Sequence, residues 1–480
     1  MSSPRKRVVI IGSGIAGLAA ASTLGRLDAS IEVKVLEATP RAGGVLQTID
    51  DPPYLVERSA DNFATMLPDA LNFCKAIGYD TELIGPEAIG RQAFVLNRGR
   101  ILPIPLGFSL VQPTRIWPIL TTKTLSFAGK LRMLSEYFVP ARQKEDDESL
   151  QSFATRRLGH EAFENLVEPI VGGIFTADPG RLSMQATLPQ FVAMEKKFGG
   201  LMRGYRAARR DNAAATSRRA SGARYDQFLA PRHGMSHWIN HIVQALPPQT
   251  IVYESVVTAI EPRIASKSWT VTTTGSVIDC DGLILASPVP IAAGLLQSHF
   301  PILADLLSKI EYASSAVVAV AVDRDEIHRR VDGFGMIVPA KEKRPTLAIS
   351  YSSNKYPGRA PADQLLMRIF IGGARDPNIL EKSDDQLTSI ALAEIRELLD
   401  WRGTQCRWQT LIRWPRAMPQ YHLGHVQRIA QIQSLVDAIG TLRLCGAGYI
   451  GVGLPQTIRS GRTAAEKIIG ELADSTTLSR

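Results

Sequence analysis

An α/β fold assembled from both ends of the chain is what three observations predict. Val8-Val9-Ile10-Ile11 reads as a buried parallel strand and runs into Gly12-Ser13-Gly14-Ile15-Ala16-Gly17, a G-x-G-x-x-G turn that opens a helix. Glu37 stands at the tip of a second strand, in the register an acid takes on such a unit. A further strand–glycine–helix pattern lies at the opposite end, over residues 441–455. Together they specify a discontinuous, Rossmann-like dinucleotide-binding domain. Into it are inserted an α+β domain that supplies the substrate site and a helical subdomain. Residues 1–85, 231–290 and 426–480 are assigned to the first, 86–114 and 291–425 to the second and 115–200 to the third, with a basic loop at 201–230.

Each element has a physical reason. Gly12 allows the tight turn, Gly14 lets backbone approach a pyrophosphate, and Gly17 lets helix and strand pack closely. The helix, read over Leu18–Leu27, offers free N–H groups and a partial positive charge to phosphates. Ile31–Leu36 alternates as the second strand, and Glu37 suits a ribose diol while repelling a 2′-phosphate. A glycine-rich turn that binds nothing needs neither the second strand nor the acid. Residues 66–80 read as helix, and Phe94–Pro103 as a hairpin turning at Arg98-Gly99. Residues 115–200 read as helices broken at Pro140, Pro169, Pro179 and Pro189. Ile251–Val257 reads as one strand entering the pattern V-x-x-I at Val257 and Ile260. After the Thr441–Gly446 strand, Gly451 and Gly453 permit close backbone approach. Pro455 suits the first turn of a helix beginning near Gln456, whose positive end would face an anionic group.

Composition narrows the class. The 480 residues suffice for roughly two to three domains, and an apolar fraction of 45% supports a sizeable core. No apolar run approaches the ~20 residues that span a bilayer. Arg5-Lys6-Arg7 before an apolar stretch imitates a secretory signal, but cleavage would destroy the glycine turn, so the chain reads as uncleaved and cytoplasmic. Cys74, Cys280, Cys406 and Cys445 lie far apart, which fits a reducing compartment and no disulfide framework. The net charge of +9 is concentrated at Arg203, Arg206, Arg209, Arg210, Arg218, Arg219 and Arg224. That stretch reads as a solvated loop, with attraction of an acidic substrate or weak peripheral contact with anionic lipid as the functional alternatives. No nucleic-acid-binding motif accompanies it. His233, His237 and His241 would share a helix face, but no fourth ligand adjoins them and no metal site is read.

Glu37-Ala38-Thr39-Pro40-Arg41-Ala42-Gly43-Gly44 extends the first unit as E-x-x-x-R-x-G-G. It resembles the flavoprotein family that includes amine oxidases, phytoene desaturases and protoporphyrinogen oxidases. The resemblance implies FAD, with Arg41, Gly43 and Gly44 along its phosphate and ribityl region. Within that family, further segments resemble the oxygen-dependent porphyrinogen oxidases. These are Leu55 to Phe63 ("E-x-G-A-D-S-F", with Ser59 and Asn62 substituted), Phe94 to Pro105, Glu148 to Pro189, Pro419-Gln420-Tyr421-His422-Leu423-Gly424-His425 ("P-Q-Y-x-x-G-H") and Gly451-Val452-Gly453-Leu454-Pro455. What this implies is removal of six electrons from a tetrapyrrole macrocycle, through flavin, to molecular oxygen with formation of hydrogen peroxide.

The resemblance also implies that hydride leaves a ring carbon for the flavin, driven by formation of the aromatic product, so a side-chain base is not obligatory and no catalytic acid or base is assigned; His422 and His425 are expected to hold a turn. Cofactor contacts are expected at Gly12, Ser13, Gly14, Ile15, Ala16, Gly17, Glu37, Ala38, Arg41, Gly43, Gly44, Ser59, Ala60, Asp61, Asn62, Val257, Trp414, Gly451, Val452 and Gly453. By the same resemblance Ile337 and Phe370 sandwich a pyrrole ring and Gly173 approaches the macrocycle by its backbone. Ala93 and Ser350 depart from the family's pocket, and Arg91 would substitute for the arginine usual just before Phe94. Coproporphyrinogen III, with four propionates against two on protoporphyrinogen IX, suits a basic chain of pI ≈ 9.4. Two alternatives stand beside this reading. One is a flavin amine oxidase or carotenoid desaturase, with Trp414 and Tyr449 imitating the aromatic pair that frames the flavin. The other is a non-catalytic binding module, which would depart from the C-terminal glycine segment.

Overall fold

The computed structural model describes residues 5–87, 92–215, 228–329 and 331–477. Arg7–Ile11 (β1), Ile15–Leu27 (α1) and Glu32–Leu36 (β2) form the expected unit. β1 is central in a parallel sheet ordered Ile251–Val252, β2, β1, Gly282–Leu285, Leu442–Leu444, so segments from both ends and the middle of the chain lie side by side. Val8 and Ile10 face α1 and the helix Leu454–Thr477. Val9 and Ile11 face the antiparallel sheet Val257–Arg263, Ser268–Thr273, Val277–Cys280 and three helices. Burial on both faces accounts for the unbroken apolar run of β1.

A second sheet has seven strands, ordered Trp408–Pro419, Tyr312–Asp323, Gln364–Gly372, Thr346–Tyr351, Gly335–Ile337, Ala93–Asn97, Arg100–Pro103. The helix Asp384–Leu399, started by a Ser383/Gln386 capping box, covers one face through Leu387, Ala391, Ile395 and Leu398. The other face is turned toward the nucleotide-binding domain and the helical unit. That unit packs Phe153, Leu158, Leu166, Val171 and Phe175 in one core.

Five local expectations are corrected. Ile251–Val257 is two strands: Ile251–Val252 joins the parallel sheet, Glu254 turns the chain at φ +52°, and Val257–Arg263 starts the antiparallel one. The chain must bend there because Glu37 O accepts from Ser255 N (2.8 Å), tying the turn to the end of β2. Residues 66–80 are helical only over Asp69–Ala76, since Gly78 takes φ +73°. The stretch read as a basic loop opens with the helix Leu201–Ala215 and closes with the strand Phe228–Pro231. Glu136, buried beside Arg157, accepts from Leu201 N (2.8 Å) and Met202 N (3.1 Å), satisfying that helix's first donors. Arg203 and Arg206 lie over the Tyr137 ring. The remaining arginines of the cluster lie outside the residues whose side chains are described. The last helix begins at Leu454, two residues earlier than expected. Helices Val289–Leu296 and Pro301–Ser308, largely within the range assigned to the substrate domain, pack in the core around β1 instead.

Candidate active site

The first glycine turn is shaped by close backbone contacts. Gly12 takes φ +101° and donates to Leu36 O (2.8 Å). A Cβ on Gly17 would stand 2.0 Å from Gly12 O, so only glycine lets α1 leave β1 at this angle. A Cβ on Gly14, in contrast, meets nothing within 4 Å. Gly14 is the N-cap of α1 and offers no side-chain cap. Ile15 and Ala16, in the first turn, are buried, so only backbone N–H groups face this open side. An uncapped helix N-terminus beside open space has the shape and charge a pyrophosphate requires.

Glu37 is buried at the adjoining strand tip, and exposed Ala38 follows it. One of its oxygens accepts from Ser13 N (2.9 Å) and Ser13 Oγ (2.5 Å), the other from Thr39 N (3.0 Å) and Thr39 Oγ1 (2.7 Å). Burial pushes its pKa up, but these four donors outweigh burial and hold it below the ordinary carboxylate value. The carboxylate therefore stays charged and locks two turns together. Arg41 bends back to donate to Gly44 O (2.6 Å), Ala42 O (3.1 Å) and Leu46 O (3.3 Å). Gly43 N donates to Ser13 O (2.9 Å), and Gly44 comes within 3.3 Å of Gly14 Cα by its would-be Cβ. The two glycine pairs thus form one cradle.

The segment Ser59-Ala60-Asp61-Asn62 is tethered to the seven-stranded sheet. Arg368 donates to Glu57 O (3.0 Å) and Ser59 O (2.6 Å) and pairs with Asp61 (2.6 Å), which Lys355 also contacts (3.1 Å). Burial would raise the Asp61 pKa, yet Lys355 and Arg368 hold it far below the carboxylate range. Ser59 Oγ donates to Val45 O (2.6 Å), Asn62 Nδ2 to Asp61 Oδ1 (2.8 Å), and Trp414 Nε1 to Arg58 O (3.0 Å). Arg58 Nε is buried here without a partner, an orphaned donor that suits a polar ligand. Sequence reasoning passed over Arg368 and Lys355. The signal for the first was a lone cation inside the apolar strand Leu365-Leu366-Met367-Arg368-Ile369-Phe370.

Arg368 Cζ lies 5.5 Å from the centroid of Phe370. Phe370 stands opposite Ala348, and Ala348 opposite Ile337, so the three side chains emerge on one face of the sheet. Two strand spacings, about 9–10 Å, separate Phe370 from Ile337, and small Ala348 lies between. The result is an apolar slot that is only partly covered, while Met336, Ile349 and Ile369 on the opposite face are buried. A Cβ on Gly173 would touch Ile337 Cγ2 at 3.9 Å, so exposed Gly173 brings bare backbone to the slot's edge. Ala348 was not anticipated. Ser350 stands opposite Arg368 on the same face, its buried hydroxyl without a partner. Ala93 extends the face on a neighbouring strand; Arg91 lies outside the described residues.

Val257 opens its strand opposite Thr273, and Val452 packs on the core of the helical unit. Gly451, at φ +142°, donates to Tyr421 OH (2.7 Å), and a Cβ on Gly453 would stand 2.3 Å from Gln456 Oε1. His425 is buried, with Nε2 on Tyr449 O (3.0 Å), and burial pushes its pKa down to about 4. A neutral, enclosed imidazole is positioned to hold backbone. His422 sits between Arg181 (3.2 Å) and Glu311 (3.4 Å). Tyr449 packs in the core around β1, so its ring is unavailable as half of a flavin-framing pair. His237 Nδ1 meets Tyr79 OH (2.9 Å) and His241 Nε2 meets Ile77 O (2.9 Å). Among the described residues no group of three His, Cys, Asp or Glu side chains is arranged to hold a metal ion.

Comparison with known proteins matches residues 15–469 to the family model described as flavin containing amine oxidoreductase. The coproporphyrinogen III oxidase of Bacillus subtilis (strain 168) is 31% identical over 97% of this chain and 98% of its own. The chloroplastic protoporphyrinogen oxidase of Nicotiana tabacum is 27% identical over 97% and 86%. A solved structure from Exiguobacterium sp. 255-15 superposes on 98% of this chain and 100% of its own, with a TM-score of 0.84 at 28% identity. The chain belongs to the flavin containing amine oxidoreductase family, the FAD-dependent oxidoreductases that its two glycine-rich ends anticipate.

Proposed function

We propose that this enzyme oxidises a porphyrinogen to the porphyrin in haem biosynthesis, taking coproporphyrinogen III in preference to protoporphyrinogen IX. The carrying observation is the slot between Ile337 and Phe370, with Gly173 at its rim and Arg368 linking it to the Ser59–Asn62 segment. A slot of that width, floored by Ala348, suits one flat pyrrole ring better than a flexible amine. The activities of the bacterial and plastid relatives support the same substrate class. Held by the cradle from Gly12 to Gly44, FAD would supply the hydride acceptor for the macrocycle and the route by which its electrons reach molecular oxygen, giving hydrogen peroxide. The chain's own residues orient and enclose. Ile337 and Phe370 hold the ring by its faces, Gly173 admits it without a side chain in the way, and the apolar wall excludes water. No side chain is assigned as acid or base, since the two histidines nearest the site are committed to backbone and to ion pairs.

Glu37 and the cradle from Gly12 to Gly44 are proposed to hold the adenosine diphosphate half of FAD. Ser59 to Asn62, Val257, Trp414 and Gly451 to Gly453 are proposed to meet the rest. We place the reaction in the cytoplasm. Among the described residues no helix is long and apolar enough to cross a membrane. The exposed Trp117, Phe127, Leu131 and Phe138 of the helical unit supply a surface for weak peripheral contact with lipid. The test is turnover of coproporphyrinogen and protoporphyrinogen side by side, in air and under nitrogen, followed by porphyrin fluorescence. Faster oxidation of coproporphyrinogen with matching peroxide is expected. Porphyrin formation without flavin reduction, or equal multiple turnover under nitrogen, would overturn the reading.

A further inference from the structure

The P-Q-Y-x-x-G-H segment binds no substrate in the scheme above, yet it makes the contacts that shape the C-terminal glycine loop. The Tyr421 ring is fully buried. Its hydroxyl accepts from Gly451 N (2.7 Å) and donates to Ala447 O, tying two points of the loop together through one oxygen. His425 stacks on the Tyr421 ring, centroids 4.2 Å apart at 17°, and reaches Tyr449 O in the middle of the same loop. Its Nδ1 is buried without a partner, so the proton belongs on Nε2, the nitrogen facing that carbonyl. Next door, Gln420 Nε2 donates to Phe175 O (3.1 Å), the last residue of the helix Glu168–Phe175 that carries Gly173. Ser183 N donates to Tyr421 O (2.8 Å), and the rings of Phe175 and Tyr421 share a core with Ile337 and Val452. Loop and substrate wall therefore hang from one short segment.

We propose that Tyr421 and His425 are positioning residues: they hold the loop 447–453 at the flavin in register with the wall that presents the macrocycle. The inference rests on reading that loop as flavin-facing. Within the redox step they touch neither reactant. They set the distance and angle between them, and a misplacement of 1 Å costs a positioned reaction up to about a hundredfold.

The test uses the full-length holoenzyme, with Tyr421→Phe and His425→Leu, each of which deletes a loop contact and keeps an apolar side chain. Both variants should bind FAD more weakly when apoprotein is titrated, and show an altered visible circular dichroism of the bound flavin. In anaerobic rapid mixing with coproporphyrinogen, flavin bleaching should slow by about 10- to 100-fold, the range of a small misplacement, with the substrate concentration dependence unchanged. His425→Gln, which retains a donor, should restore the flavin signature toward the parent. A purely structural role predicts lower thermal stability with parent-like dichroism, FAD affinity and bleaching rate in the folded fraction, and that result overturns the proposal. If Tyr421→Phe does not fold, His425→Leu alone decides by the same criteria. If the parent itself oxidises no porphyrinogen, the substrate reading fails, whereas the dichroism and FAD titration still judge the loop contacts.

Discussion

Glu37 is proposed to do two jobs with one carboxylate. It was read from sequence as the ribose acceptor, and the structure adds that it clamps Ser13 and Thr39 through four hydrogen bonds. Its folded pKa lies below the unfolded value, so its contribution to stability is fully present above the ordinary carboxylate range. It is lost as pH falls through the depressed value. Replacing Glu37 with Gln removes hydrogen bonds to a charged acceptor, worth about 1.5–3 kcal/mol each in such settings. Apoprotein titrated with FAD should show a dissociation constant raised roughly 10- to 100-fold, and the stability gap to the parent should shrink in acid. Parent-like FAD affinity, or a gap that persists at low pH, would contradict this role. Arg368 shows the opposite case at this scale. Nothing in the spacing of its strand says that a guanidinium there ties down Glu57, Ser59 and Asp61, because those residues lie some 300 positions away and meet it only in the fold.

Among the elements, the β1–α1–β2 unit was legible because every part of it is local: an apolar run, three glycines and an alternating strand. Its docking partner was legible only as a helix. Where α1 and Leu454–Thr477 cross, a Cβ on Gly461 would stand 2.0 Å from Ala16 O. Gly461→Ala should therefore force the helices apart, at about 1–3 kcal/mol of overpacking, and weaken FAD retention by shifting the start of α1. Gly470→Ala, in the same helix but with nothing within 4 Å of the added atom, is the control. It should be neutral or up to about 1 kcal/mol stabilising by helix propensity. Thermal melts of the two variants check the pair, and equal effects would refute the crossing argument. The helix Leu201–Ala215 was misread for the converse reason. Its arginines suggested a solvated loop, and what orders its start is a buried carboxylate, Glu136, more than sixty residues upstream.

For the molecule as a whole, a net charge of +9 favours capture of an anionic substrate. If coproporphyrinogen is preferred for its four propionates, its kcat/KM should fall with added salt more steeply than that of protoporphyrinogen, since screening acts on each charge. Parallel salt profiles for the two substrates would remove electrostatics as the cause of any preference. By itself the sequence determined the fold class, the FAD-binding ends and the family, because those depend on short contiguous patterns: glycines where backbone must bend or approach, an acid at a strand tip, an apolar run for a buried strand. The resemblance already groups Ile337, Phe370 and Gly173, and only the tertiary structure decided how they meet and that Ala348 and Arg368 join them. The Ile337–Ala348–Phe370 slot arises from the register of three strands, Gly173 reaches it from a helix far upstream, and Tyr421 and His425 meet the loop 447–453 across a chain reversal. The physical reason is that register and helix crossing are set by packing between segments distant in the chain, and no local pattern encodes a contact made by both partners together.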